Sequence, residues 1–290
     1  MLMRRLLILA IILFVPAGLS SSSCADSQSQ FPGAEWNHPF KPFHIIGNIY
    51  YVGTNDLACY LITTSAGHIL LDTGLEQSAP IIKANIAELG FKLTDIKIML
   101  SSHAHFDHVG GHADMKAATG ARVVASAPDA VVLESGGTKS FFPLTPFKPV
   151  KVDQVVKDGE TVKLGEVEMT AHVVPGHTEG NTAWTMVAAE DGKKYDVVFA
   201  ASMSINPGVH MVNFKPWPDI AVAYERSFQV LKQLHCDVFL GPHARFFDME
   251  TKVRLLKEQP KTNPFIDPVG YQQYLSSLEQ TFRTQIKNEQ

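Results

Sequence analysis

Ile96-Lys97-Ile98-Met99-Leu100-Ser101-Ser102-His103-Ala104-His105-Phe106-Asp107-His108 is an apolar run that ends in four metal-capable side chains within six residues. The run reads as a buried strand, and its end carries those side chains straight into a loop. His103 and His105 stand two apart, so on extended backbone they point to one side. Asp107 and His108 follow where the chain should turn into the next helix, and they can address a second point in space. One short segment can therefore supply ligands to two adjacent metal ions. Neutral imidazole and carboxylate suit zinc, and two such ions close together can activate a water between them.

Working outward, single candidates recur in matching contexts. Val173-Val174-Pro175-Gly176-His177 and Phe239-Leu240-Gly241-Pro242-His243 each place a histidine just past a strand end, after a Gly/Pro turn. Ile69-Leu70-Leu71-Asp72-Thr73-Gly74 does the same with an aspartate. Ligands gathered at strand ends from several segments are how an α/β sheet builds a site. The remaining histidines, His38, His44, His68, His112, His172, His210 and His235, lack that setting and read as structural or surface residues. Asp72 reads as an acceptor for a ligand imidazole, because metal-bound histidines usually donate their free N–H to such a group.

The rest of the chain alternates strand and helix. Strands are expected at 49–52, 59–63, 68–72, 96–100 and 121–125. A helical stripe covers 78–89 with Gly90 as its cap, a helix runs from the histidine cluster to about Thr119, and another starts at Pro128. Residues 136–151 are a loop rich in Gly, Pro and Phe, in which Phe141, Phe142 and Phe147 fit an apolar lid or a core cap equally well. Strands at 166–174, 182–188, 195–200 and 237–240 follow, the middle pair turning at Asp191-Gly192. Helices are expected at 219–234, 249–257 and 267–287. Two sets of strands flanked by helices suggest a four-layer sandwich with two similar halves.

Residues 1–25 read as a secretory signal. Arg4 and Arg5 precede an apolar run at 6–15, and Ser23-Cys24-Ala25 fits a small-x-small cleavage pattern. The run is shorter than the roughly 20 residues that span a bilayer. Lipidation of Cys24 is the alternative, opposed by Ser21 where a lipobox takes a branched apolar residue. Cleavage would start the mature domain, 26–290, in an oxidising, periplasmic compartment. It would also remove two positive charges from a formal net charge of −4, leaving −6. That acidity argues against a nucleic-acid groove. No polar linker or charge run divides residues 35–290, which read as one domain, and Cys59 and Cys236 read as two separate buried thiols.

The motif His103-Ala104-His105-Phe106-Asp107-His108, with Pro175-Gly176-His177-Thr178-Glu179-Gly180 and Gly241-Pro242-His243, resembles the metallo-β-lactamase superfamily. Within it the chain is most similar to the third subclass of the class B β-lactamases. Thr54-Asn55-Asp56-Leu57, Asn181-Thr182-Ala183-Trp184-Thr185 and Ser202-Met203-Ser204 carry that finer likeness. The resemblance implies an α/β, four-layer αββα fold and two zinc ions per chain. It implies that His103, His105 and His177 hold the first, and Asp107, His108 and His243 the second. Asp107 would also orient the attacking water, and Ser202 and Ser204 would bind the substrate carboxylate. The implied activity is zinc-dependent hydrolysis of the β-lactam amide bond of antibiotics by a monomer, and hence resistance. Lactonases and glyoxalase II-like thioester hydrolases, the alternative, bridge their metals with an aspartate near 200–204. Phe199-Ala200-Ala201-Ser202-Met203-Ser204 contains no acid.

Overall fold

The computed structural model describes residues 32–142, 145–259 and 261–290, so the expected signal segment and Cys24 lie outside the described residues. Pro32–Gln290 form one compact unit. Its first sheet has seven strands in chain order: β1 (Phe43–Ile46), β2 (Ile49–Tyr51), β3 (Tyr60–Thr64), β4 (Gly67–Leu71), β5 (Ile96–Leu100), β6 (Arg122–Ser126) and β7 (Gln154–Val156). The second has five: β8 (Thr161–Leu164), β9 (Val167–Val173), β10 (Thr182–Glu190), β11 (Lys193–Phe199) and β12 (Val238–Leu240), ordered β12-β11-β10-β9-β8. The helices are α1 (Ala79–Glu88), α2 (Phe106–Val109), α3 (His112–Thr119), α4 (Ala127–Glu134), α5 (Ile220–Gln233), α6 (Met249–Glu258) and α7 (Pro268–Glu289).

The burial pattern explains the layers. In β5 every residue but Lys97 is buried, as expected for a strand covered on both faces. Ile98 and Leu100 join Ile62, Leu71, Met169 and Trp184 in the core between the sheets. Met99 points the other way, with Leu70 and Val123, onto Ile82 and Ile86 of α1, Met115 of α3 and Leu133 of α4. On the far side, Phe228 and Leu231 of α5 and Leu275 and Phe282 of α7 complete the core of the second sheet. Helix, sheet, sheet and helix therefore stack in that order. Cys59 lies in the helix-facing core and Cys236 in the other, both buried and unbonded among the described residues, as the sequence suggested.

Strand direction decides where a site can form. β4, β5, β6 and β7 run parallel, and β11 runs parallel to β12. β9 and β11 are both antiparallel to β10 and so share a direction. Chain segments leaving β4, β5, β9, β11 and β12 carry Asp72, His103 to His108, His177, Ser202 and His243 respectively.

Two expectations needed correction. The helix predicted up to Thr119 is two helices, because the Gly111 N–H is donated at 3.3 Å to the Gly74 carbonyl. Glycine is required there: a Cβ on Gly111 would stand 2.6 Å from the Thr73 carbonyl oxygen. Strands β1, β7 and β8 were not expected; each has only three or four residues, and β1 carries a register shift between His44 and Ile46.

Candidate metal centre

The first triad is His103, His105 and His177, with one ring nitrogen from each lying within 4.8 Å of the others. All three are buried, and their ring centroids are 4.6 to 4.7 Å apart. The second triad, Asp107, His108 and His243, meets the same distance criterion. Asp107 Oδ2 lies 3.4 Å from His108 Nε2 and 3.5 Å from His243 Nε2. The rings of His103 and His108 are 4.1 Å apart, so the two triads adjoin.

Local contacts fix which nitrogen three of the rings turn inward. His177 Nδ1 donates to the Ser204 carbonyl at 2.7 Å, and His243 Nδ1 lies 2.9 Å from Asp56 Oδ2. His103 Nδ1 is 3.1 Å from the Ser102 hydroxyl. Such partners hold the ring and leave Nε2 free for a ligand. The Nε2 atoms of His103 and His105 are buried without any hydrogen-bond partner among the described residues.

The electrostatics fit a divalent cation. Burial, reinforced by the neighbouring imidazoles, pulls His103 and His105 well below the ordinary histidine range. Burial takes His177 down to about 4. These rings are therefore neutral, the form that binds a metal. Burial opposes the charged form of Asp107, but His108 and His243 outweigh it and hold the carboxylate well below its usual range. Burial likewise opposes a charge on His108, yet Asp107 and Asp72 raise it to about 10. Three neutral nitrogens facing one another, beside a carboxylate wedged between two imidazoles, form the donor set that zinc takes.

Two carboxylates outside the triads organise the surrounding backbone. Asp72 leaves β4 with φ +60 and accepts from Ser102 N at 2.7 Å and from Ser102 Oγ at 2.6 Å. It also comes within 3.5 Å of His108 Nδ1. Asp129, in the first turn of α4, accepts from Ala104 N at 2.9 Å and from Thr178 Oγ1 at 3.5 Å. One carboxyl thus grips both turns that carry the first triad, and burial pushes it up to about 7. A Cβ on Gly180 would strike Ser126 Oγ and that carboxyl. Asp129 and Asp56 are the residues that sequence reasoning missed as organisers of the site. Asp56 lies within a quoted motif, but neither carries a local signal of its role.

A cleft of about 280 Å³ is lined by His105, Asp107, His177 and His243 together with Ser202 and Ser204. Trp36, Phe142, Arg245 and Phe246 form more of its wall. Trp36 meets His243 edge-on at 5.7 Å. The three loop phenylalanines divide: Phe142 lines the cleft, Phe147 is buried beneath the loop, and Phe141 packs on Trp217 at 5.0 Å. Of the histidines set aside from sequence, His112 is buried against Thr73 Oγ1 at 2.7 Å and stays outside both triads. His235 lies with Asp196 and Asp237 in a separate, largely exposed group.

Comparison with known proteins agrees with this geometry. The sequence model of the Metallo-beta-lactamase superfamily matches residues 53–243. The native FEZ-1 metallo-beta-lactamase from Legionella gormanii superposes with a TM-score of 0.85 at 45% identity, over 87% of this chain and 97% of that one. BJP-1, a subclass B3 metallo-beta-lactamase of Bradyrhizobium japonicum, gives 0.81 at 40% identity, over 88% and 96%. Among curated proteins, the hydroxyacylglutathione hydrolase of Rhodospirillum rubrum is 30% identical over 120 residues, 41% of this chain and 40% of that protein. The chain thus spans less than half the length of the curated relatives it matches. With two adjoining donor triads at the ends of paired sheets, and a match running through both, the chain belongs to the metallo-beta-lactamase superfamily and is most like its class B3 β-lactamases.

Proposed function

We propose that this protein is a zinc-dependent β-lactam hydrolase of subclass B3, which opens the amide bond of penicillins, cephalosporins and carbapenems and so confers resistance. The observation that carries the reading is 45% identity over 97% of FEZ-1, with both donor triads assembled around one cleft. In this reading His103, His105 and His177 hold one zinc ion, and Asp107, His108 and His243 hold another. Bound zinc supplies Lewis acidity toward the lactam carbonyl and brings the pKa of a water down to roughly 7.

The chain's own groups do the rest. Asp107 Oδ2 faces two imidazoles, and Oδ1 remains to accept a hydrogen bond from the attacking water and aim its lone pair. Ser202 and Ser204, whose hydroxyls lie 3.2 Å apart on the cleft wall, donate to the substrate carboxylate. Trp36, Phe142 and Phe246 give the lactam rings an apolar surface and exclude bulk water. Asp72 steadies the backbone of the motif through Ser102. The protein acts in the periplasm as a monomer after cleavage behind Ala25.

The curated hydroxyacylglutathione hydrolases favour a second reading, thioester hydrolysis. The absence of any acid between Ala200 and Ser204, where that group bridges its metals, weighs against it. The deciding experiment is carbapenem, penicillin and cephalosporin turnover by the zinc-loaded protein, with and without a chelator. Chelator-sensitive turnover restored by zinc is expected. Turnover of a glutathione thioester, with all three lactams untouched, would install the second reading instead.

A further inference from the structure

Arg245 is the one permanent cation among the described residues lining the cleft, and neither triad uses it. It stands two residues beyond His243 in the short 3-10 turn Ala244–Phe247. Its guanidinium carbon lies 5.5 Å from the ring centroid of Trp36 and 5.2 Å from that of Phe246, both also on the cleft wall. One nitrogen, Nη1, pairs with Asp56 Oδ2, yet the side chain remains 49% exposed. Asp56 also receives the Arg245 backbone N–H on Oδ1 at 3.1 Å. Two aromatic rings and a carboxylate thus hold in place a long side chain with many rotamers.

A guanidinium has five N–H donors in a rigid fork, and the Asp56 pairing leaves donors over. The neutral donors on the wall carry no charge of their own to offset an anion. Ser202 is only 2% exposed, and its hydroxyl and that of Ser204 are partly engaged with each other at 3.2 Å. A carboxylate entering a cleft loses hydration that charge-assisted hydrogen bonds replace better than neutral ones do. We propose that Arg245 supplies the charged contact to the substrate carboxylate, beside the Ser202 and Ser204 hydroxyls, and restricts the enzyme to acids over their neutral esters. This rests on the hydrolase reading above and names a specificity residue for it.

A purely structural role must be kept apart, because Arg245 also touches Asp56, which orients His243. The test compares a penicillin with its methyl ester on the zinc-loaded wild type, Arg245→Ala and Arg245→Lys. Arg245→Ala is expected to raise KM for the acid about tenfold or more, the scale of a charged hydrogen bond. Its kcat should stay within about threefold, the ester's KM should not move, and Arg245→Lys should recover most of the loss. Equal losses for acid and ester, or a fall in kcat at constant KM, would show that Arg245 only supports Asp56 and overturn the proposal. If the wild type hydrolyses neither compound, the hydrolase reading fails by itself. Equilibrium binding of the two compounds, followed by tryptophan fluorescence, then decides for Arg245. A preference for the acid that Arg245→Ala abolishes sustains it, and equal affinities sink it.

Discussion

Asp56 holds two neighbours of different kinds: the Nδ1 side of His243 at 2.9 Å and the guanidinium of Arg245. Removing an outer partner of a ligand histidine typically costs 10- to 100-fold in metal affinity. Asp56→Ala should therefore weaken the second triad by about that factor and spare the first, seen as a change in one of two stepwise constants in a competitive zinc titration. Equal weakening of both steps would show that Asp56 acts on the whole cleft. Asp129 is its counterpart for the first triad. Asp129→Ala strands the Ala104 N–H that it accepts from, and an unsatisfied buried donor costs about 1–3 kcal/mol. Urea unfolding should register that loss, with zinc released first from the histidine-only triad. Unchanged stability would mean that water replaces the carboxylate.

At the scale of elements, the junction of α2 and α3 sets where Asp107 and His108 stand. Gly111 lets the segment Thr73–Leu75 lie directly on that junction. Gly111→Ala pushes a methyl group against the Thr73 carbonyl, and overpacking of this kind typically costs about 1–3 kcal/mol. The expected phenotype is a lower melting temperature together with poor zinc retention. A variant as stable as wild type with full zinc content would show that the junction yields freely. This is also where the sequence was least legible. β5 was read to the residue because a continuous apolar run has one interpretation, and the six triad donors came together as their strand-end positions suggested. The break at Gly110-Gly111 was hidden because its cause is a carbonyl from a loop far away in the chain. Asp56 was hidden as an organiser for the same reason, since its ring partner is 187 positions distant. β7 and β8 were missed because three or four residues give too little alternation to detect.

Across the whole molecule, the sheets are tied together close to the triads. Trp184 Nε1 of β10 donates to Ser101 O at 2.9 Å, and Thr182 N to Ser102 O at 2.8 Å. Tyr60 OH of β3 reaches Gly241 O at 2.6 Å, and Ala58 N reaches Pro242 O at 3.0 Å. Each triad also draws on both sides, two donors from the segment after β5 and one histidine from the second sheet. A bound ion would therefore link the sheets, and a ligand at 100 times its dissociation constant stabilises by about 2.7 kcal/mol. For a chain of this size that corresponds to a melting temperature roughly 5–10 °C lower after chelation. Calorimetry with and without chelator tests this. An unchanged midpoint would show that the sheets dock as firmly without the ion.

That straddling arrangement also sets an order of assembly. A chain extending from the N-terminus has four of the six donors once β5 and its loop exist, yet they fall two to each triad and neither is complete. His177 completes the first only after β9, and His243 completes the second only when β12, the last strand, is in place. Ion uptake then becomes a clock for folding. Zinc offered to chains halted at increasing lengths during synthesis should bind in two separated steps, the later one appearing only when the final strand and His243 have emerged.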